Sequence, residues 1–298
     1  RSGLSMQYRA LGNTGLMVSV LGLGTGEWGD PRADEPQLEH LLARAIDLGI
    51  TLIDTAPSYG LSEERLGRML ASQPQELILS TKVGYGIEGV PDWTPECIRL
   101  GVDRALRRLR RDCLDIVHLH SCPAHTLECN GVLDALHEAR EAGKIRVVAY
   151  SGENEALDLA LRDMRVGSVM SSLNLCDQRV LDNPRLQEGL ARGCGWLVKR
   201  PLCNAVWRHA ECPQRPDLAE YWRRWHALSL PTAPDTAALA MRFVLSCSTV
   251  SSAVVGIGSE AHLLSCVAAA REPALEADVM RDMRAHWHSV EQSWPGLI

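Results

Sequence analysis

The chain has 298 residues, 46% of them hydrophobic and 23% charged, and 31 basic against 37 acidic side chains leave a net charge of −6. That length holds one large domain or two ordinary ones. The mild acidity removes the electrostatic ground for a nucleic-acid or anionic-membrane partner. A mean hydropathy of −0.09, with no apolar run near about 18 residues, excludes a transmembrane span. Residues Arg1 to Ser5 lack the apolar stretch of a secretory signal and read as a leader ahead of Met6. Ten cysteines without a single CxxC pair read as reduced thiols of a cytoplasmic protein.

Residues 7–11 and 16–20 flank Gly12-Asn13-Thr14-Gly15 and predict a β-hairpin, because Asn and Gly tolerate positive φ. From there short apolar runs alternate with longer amphipathic segments. Strands are expected over 18–23, 51–54, 77–82, 114–120, 145–150, 166–173, 196–199 and 252–255. Helices are expected over 37–48, 63–70, 94–111, 127–142, 155–163, 184–191, 234–246 and 259–270. Continuous apolar strands are the mark of a parallel sheet covered by helices. Eight βα units over roughly 250 residues match a (β/α)8 TIM barrel, whereas a doubly wound sheet leaves two units unexplained. The hairpin is then expected to plug the barrel floor. Residues 203–234 form the longest irregular insertion, overhanging the mouth, and 275–293 form an extra C-terminal helix. With no linker between units, the whole chain reads as a single barrel domain.

Functional side chains of such a barrel gather at the C-terminal ends of its strands. The second strand ends in Asp54 and runs on to Tyr59, the third ends in Lys82, and the fourth in His118-Leu119-His120. Alternation places His118 and His120 on one face, with His120 nearer the rim. A tyrosine of ordinary pKa near ~10 is a poor acid at neutral pH. A neighbouring ammonium favours its phenolate, and a carboxylate holds that ammonium in place. Tyr59, Lys82 and Asp54 are therefore suited to exchanging a proton with a carbonyl oxygen that gains or loses a hydride. A neutral His120 opposite them can orient the same oxygen. Each residue alone is an ordinary strand-end residue; the four together on adjacent strands are not.

These residues carry a resemblance. The sequence is similar to the aldo-keto reductase family along nearly its whole length, most specifically in Ile53-Asp54-Thr55-Ala56-Pro57-Ser58-Tyr59-Gly60, Ser80-Thr81-Lys82 and Leu114-Asp115-Ile116-Val117-His118-Leu119-His120. The resemblance implies a catalytic tetrad of Asp54, Tyr59, Lys82 and His120, and NADP bound at the mouth, with NAD as the alternative. For the nicotinamide end it implies Gly24, Thr25, Asp54, Ser151 and Asn174. Lys199-Arg200-Pro201-Leu202 stand where many members stack a tyrosine. For the adenosine end it implies Gly256, Gly258, Ser259, His262 and Cys266, with His262 where members carry the arginine for the 2′-phosphate and Cys266 where they carry Asn. A helix beginning near Ser259 offers its N-terminus to phosphate. Histidine is a weaker, pH-dependent phosphate partner, which points to relaxed use of the two dinucleotides.

Trp28, Trp93 and Trp207 follow strands one, three and seven and are expected as apolar walls of a substrate pocket. The cluster His118, His120, Cys122, His125 and Cys129 lacks the paired short knuckles of a zinc site, so no metal is expected. The arginines between Arg104 and Arg111 read as a solvated helix face. The expected activity is an NAD(P)-dependent reduction of an aldehyde or ketone, or oxidation of a secondary alcohol or sugar. An NAD-linked aldose dehydrogenase and a cofactor-binding, redox-sensing regulatory subunit are the alternatives. The expected partner is a small carbonyl or alcohol substrate, and oligomeric state is not legible.

Overall fold

The computed structural model describes residues 5–73, 76–129 and 131–298, so the first four residues of the expected leader lie outside the described residues. Strands β1 (Tyr8–Ala10) and β2 (Met17–Ser19) pair antiparallel as the expected hairpin. The eight barrel strands are β3 (Leu21–Gly24), β4 (Leu52–Asp54), β5 (Ile78–Val83), β6 (Leu114–His120), β7 (Ile145–Ser151), β8 (Ser168–Ser172), β9 (Gly195–Lys199) and β10 (Ser252–Gly256). All pair in parallel, and β10 pairs with both β9 and β3, so the sheet closes. The run read as one strand over 18–23 divides at Val20. Its amide donates to Gln7 of the hairpin edge and its carbonyl accepts from Ala253 of the barrel, so the chain changes sheets there.

The helices are α1 (Glu35–Asp47), α2 (Ser62–Leu70), α3 (Pro95–Leu109), α4 (Ala124–Cys129), α5 (Val132–Glu141), α6 (Asn154–Arg162), α7 (Pro184–Ala191), α8 (Pro216–Ala227), α9 (Thr236–Leu245), α10 (Glu260–Ala270) and α11 (Ala277–Val290). Two expectations are corrected. The segment 127–142 is two helices, because Gly131 at φ +66° caps α5 in the left-handed region, which a continuous helix cannot contain. The insertion 203–234 is not irregular throughout. It forms a 3₁₀ turn over Cys203–Arg208 and then α8, started by Pro216 and held by the buried Ala219, Tyr221 and Trp225.

Packing explains why the barrel is filled rather than open. Leu52, Ile116, Val147, Leu197 and Val254 line its interior, and Leu11, Leu16 and Val18 of the hairpin join them from below. Those three hairpin side chains are at most 2% exposed, and burying each contributes on the order of 1.5–3 kcal/mol. A larger apolar layer lies between the strands and the helices. After α11 the chain returns across the upper loops. Pro295 accepts from Arg224, Gly296 exchanges two hydrogen bonds with Asn154, and Leu297 accepts from Arg200. Among the described residues no helix is long and apolar enough to cross a membrane.

Candidate active site

Register brings the strand-end candidates Asp54, Lys82 and His120 together. Strand pairing sets Asp54 beside Ser80 and Lys82 beside His118, so the ends of β4, β5 and β6 lie side by side. Lys82 Nζ reaches Asp54 Oδ2 at 2.8 Å and the carbonyl of Thr55 at 2.7 Å, and both side chains are almost fully buried. Burial alone lowers the Lys82 pKa. The charges of Asp54 and Tyr59 and the hydrogen bond to Asp54 outweigh it, and the net shift is upward, so the ammonium persists. Below this pair, Ser80 donates to Asp54 Oδ1 at 2.8 Å and lies 2.8 Å from His118 Nε2. Since the Ser80 proton goes to the carboxylate, the His118 N–H donates to Ser80. His118 is wholly buried, and burial, then the Lys82 charge, keeps it far below its ordinary pKa and neutral. Ser80 and His118 thus complete the support of the ion pair.

Tyr59 lies in the loop after β4, half-buried, with its ring centroid 5.3 Å from Lys82 Nζ. Its place depends on Gly29. A Cβ at that position would stand 1.5 Å from the Tyr59 carbonyl, and the Gly29 carbonyl accepts from the Leu61 amide at 3.1 Å. The loop after β3 can clasp the tyrosine loop only where no side chain intervenes.

His120 ends β6 and faces the same mouth. Burial, with Lys82, Lys199 and Arg200 nearby, lowers its pKa to about 3, so the imidazole is neutral at ordinary pH. Its Nδ1 lies 2.5 Å from the hydroxyl of Tyr85, which also bonds Ser58 Oγ at 3.0 Å. Tyr85 is absent from the sequence-derived site. It follows Lys82 by three residues in a loop that carries no periodic signal.

The upper loops of β9 and β10 enclose a cleft of about 430 Å³. Of the expected cofactor residues, Arg200, Pro201, Leu202, Gly256, His262 and Cys266 line it, together with Arg208, Ser265 and Glu27, which the sequence reading did not single out. Lys199 points elsewhere, 3.7 Å from the buried Glu153. Glu153 also pairs with Arg179 at 2.6 Å and accepts from the Ser172 amide. The Ser259 hydroxyl accepts from the His262 amide and caps α10. Gly24 and Gly256 are register partners on adjacent strands. A Cβ at Gly258 would stand 2.9 Å from Glu27 Oε2. Thr25 is buried and donates to the Asp54 carbonyl. Asn174 is fully engaged, donating to the Arg200 carbonyl and Tyr221 and accepting from the Cys176 amide.

The family profile described as the aldo/keto reductase family matches residues 20–288. The chain belongs to the aldo/keto reductase family. It is 28% identical to the L-galactose dehydrogenase of Arabidopsis thaliana, covering 98% of each chain, and 27% identical to the D-threo-aldose 1-dehydrogenase of a Pseudomonas species, covering 87% of this chain and 92% of that one. An aldo-keto reductase from Bacillus halodurans in its holo form superposes with a TM-score of 0.80 at 27% identity, over 94% of this chain and 96% of its own. A putative aldo-keto reductase from Pseudomonas aeruginosa gives 0.73 at 32% identity, over 90% and 96%. This aldo/keto reductase is accordingly an NAD(P)-dependent oxidoreductase.

One observation of this chain fits a nicotinamide carboxamide. Ser151, at the end of β7 and beside His120 in the register, has a buried hydroxyl with no hydrogen-bond partner among the described residues, and an orphaned buried hydroxyl is expected to find one. The tryptophans separate. Trp28 is 1% exposed and its indole donates to the Ile257 carbonyl at 2.7 Å, so it clamps two loops together instead of walling a pocket. Its place in a 3₁₀ turn (Gly26–Gly29) against α2 is what buries it. Trp207 lines this cleft and packs on Trp225 at 5.1 Å between centroids. Trp93 packs edge-on against Tyr85, with centroids 6.1 Å apart.

Proposed function

We propose that this aldo/keto reductase interconverts the carbonyl of an aldehyde or ketone with the corresponding alcohol, or the anomeric hydroxyl of a cyclic aldose with its lactone, using Tyr59 as the proton donor and acceptor. The observation that carries the reading is the convergence of Tyr59, the buried Lys82–Asp54 pair and a neutral His120 on one mouth. A bound nicotinamide supplies or accepts the hydride. Lys82 keeps a positive charge against the face of Tyr59, which favours the negative charge the phenol takes on as it releases its proton. Asp54, fixed by Ser80, holds that ammonium in place. His120 offers a hydrogen bond to the substrate oxygen, and Ser151 would hold the carboxamide.

Sugar oxidation is favoured over other alcohols by the names of two relatives matched over most of their length, an L-galactose dehydrogenase and a D-threo-aldose 1-dehydrogenase. The deciding experiment follows dinucleotide absorbance across aldehydes, ketones and aldoses with both nucleotides in both directions. Turnover of aldoses with NAD(P)+ supports the reading. Absence of turnover on every class, with nucleotide bound, would return this chain to a regulatory, redox-sensing role.

NADP(H) is the proposed dinucleotide. Burial, then the charge of Arg208, lowers His262 below its ordinary 6.5 against the pull of Glu27, so this histidine is neutral at pH 7. Arg208 lines the same cleft, and a guanidinium suits a phosphate bidentately; it supplies the cation that α10 lacks. Arg208→Ala is expected to weaken NADP+ binding about 10- to 100-fold, the worth of a charge-assisted hydrogen bond. NAD+ affinity should stay within about twofold, and titration of tryptophan fluorescence reads both. Equal losses for the two nucleotides would remove Arg208 from the 2′-phosphate.

A pH effect is also expected. Burial, opposed by Glu153 and assisted by Arg200 and Lys82, brings Lys199 down to about 8. Below that value the amine is charged; above it the mouth loses one positive charge, which acts on an anionic dinucleotide through space because Lys199 faces Glu153 and not the cleft. The Kd for NADP+ should rise roughly threefold or more between about pH 7 and about pH 9, and the step should vanish in Lys199→Met. A step of equal size in that variant would assign the effect to another group.

A further inference from the structure

We propose that Tyr85 sets the tautomer of His120, holding its ring proton on Nε2 so that the imidazole meets the substrate oxygen as a donor. The proposal rests on the reading of His120 as the group that orients that oxygen. A neutral imidazole carries one N–H, and the nitrogen without it can only accept. Of the two ring nitrogens, only Nδ1 has a hydrogen-bond partner among the described residues, and that partner is the Tyr85 hydroxyl at 2.5 Å. The Tyr85 hydroxyl is also placed to donate to Ser58 Oγ, at 3.0 Å. One phenolic proton serves one of these two neighbours, which leaves two arrangements.

In the first, Tyr85 gives its proton to Nδ1 and the exposed Ser58 turns to water, so Nε2 bears the proton. In the second, Nδ1–H donates to Tyr85, Tyr85 donates to Ser58, and Nε2 is an acceptor. The first pairs the stronger acid, a phenol, with the stronger base, an imidazole nitrogen. Ser58 is exposed and exchanges its bonds with water at little cost, whereas the His120–Tyr85 contact is half-buried. Only the first arrangement gives a carbonyl oxygen a donor, which is what orienting and polarising that oxygen requires.

The phenol is also held in place. Its ring lies 5.6 Å from the His120 ring and 6.1 Å from that of Trp93. Trp93 sits with φ at +57° and its amide donates to the Gly84 carbonyl. A Cβ at Gly84 would stand 2.0 Å from the Trp93 ring. A side chain at Gly84 would therefore push Trp93 off the phenol, so the turn that follows Lys82 orders Trp93, Trp93 backs Tyr85, and Tyr85 directs His120. Trp93 thereby serves the site from behind the phenol.

The test is nitrogen NMR of the enzyme carrying ¹⁵N-labelled histidine, with the His120 signals assigned by their loss in His120→Gln. The expected pattern is an unprotonated Nδ1 and a protonated Nε2, giving way in Tyr85→Phe to exchange between tautomers. In the same variant kcat should fall about 10- to 100-fold while the Kd for NADP+ stays within about twofold, a split that loosened packing alone does not produce. A protonated Nδ1 in the parent enzyme overturns the proposal, as does an unchanged nitrogen pattern or an unchanged kcat in Tyr85→Phe. Should His120→Gln turn over like the parent, the role given to His120 fails, and the nitrogen pattern still decides what Tyr85 does to it.

Discussion

Tyr59→Phe should lower turnover by about 10²–10⁴-fold, the usual cost of losing a positioned acid and base, with the Kd for NADP+ within about twofold of the parent. The substitution removes one oxygen and leaves the ring, whose centroid lies 5.3 Å from Lys82 Nζ, so packing and the cation–π contact survive. The loop itself is set by backbone contacts with Gly29, which the phenol does not make. Stopped-flow measurement of the hydride step, with isothermal titration of the nucleotide, separates chemistry from binding. A variant that keeps more than about a tenth of the parent rate would remove Tyr59 from the proton-transfer role.

The second large effect concerns Lys82. Its ammonium and the Asp54 carboxylate meet at 2.8 Å, at 2% and 3% exposure. Removing one member of a buried pair strands the other charge and costs about 3–5 kcal/mol. Lys82→Met is therefore expected to lower Tm by roughly 5–15 °C as well as to abolish turnover. The double variant Asp54→Leu, Lys82→Met removes both charges and should regain most of the lost stability while staying inactive. Recovery is the informative arm, because it separates loss of the ammonium's chemistry from loss of the fold. If the double variant is no more stable than Lys82→Met, stranded charge is not the cause. The sign with pH follows from the raised pKa. The folded value lies above the ordinary 10.5, so the pair's contribution is complete below the ordinary value and is lost only as pH climbs through the folded one.

The barrel and its mouth residues are legible because parallel strands write themselves plainly. Each is a short apolar run buried on both faces, and the polar residue that ends it is the one that reaches the rim. Asp54, Lys82 and His120 were readable on that basis, and the hairpin announced itself through Gly12-Asn13-Thr14-Gly15. The structure departs from the sequence pattern where the backbone, not the side-chain period, decides. Val20 changes sheets through two backbone hydrogen bonds. Gly131 breaks a helix whose apolar spacing runs on unbroken. Arginine-rich α8 hides a buried face behind its charges, since Arg224, only 1% exposed, stretches from Glu220 to the Pro295 carbonyl. Trp28 shows the limit of reading a loop residue as a pocket wall: the loop's 3₁₀ turn points the indole inward, where Ile257 takes its N–H.

By itself the sequence determined the closed eight-stranded barrel, the plug beneath it and the four candidate residues at its rim. Local apolar period and strand-end position suffice for these. Only the tertiary structure decided that Tyr85 touches His120, that Arg208 shares a cleft with His262, that Glu153 binds Lys199 and Arg179, and that the C-terminal Leu297 reaches Arg200. Each of these joins separate loops or a terminus, whose paths are set by positive-φ residues and long-range hydrogen bonds that no spacing along the chain encodes. The rim residues are read along the strands, and the residues that tune them are read across the loops.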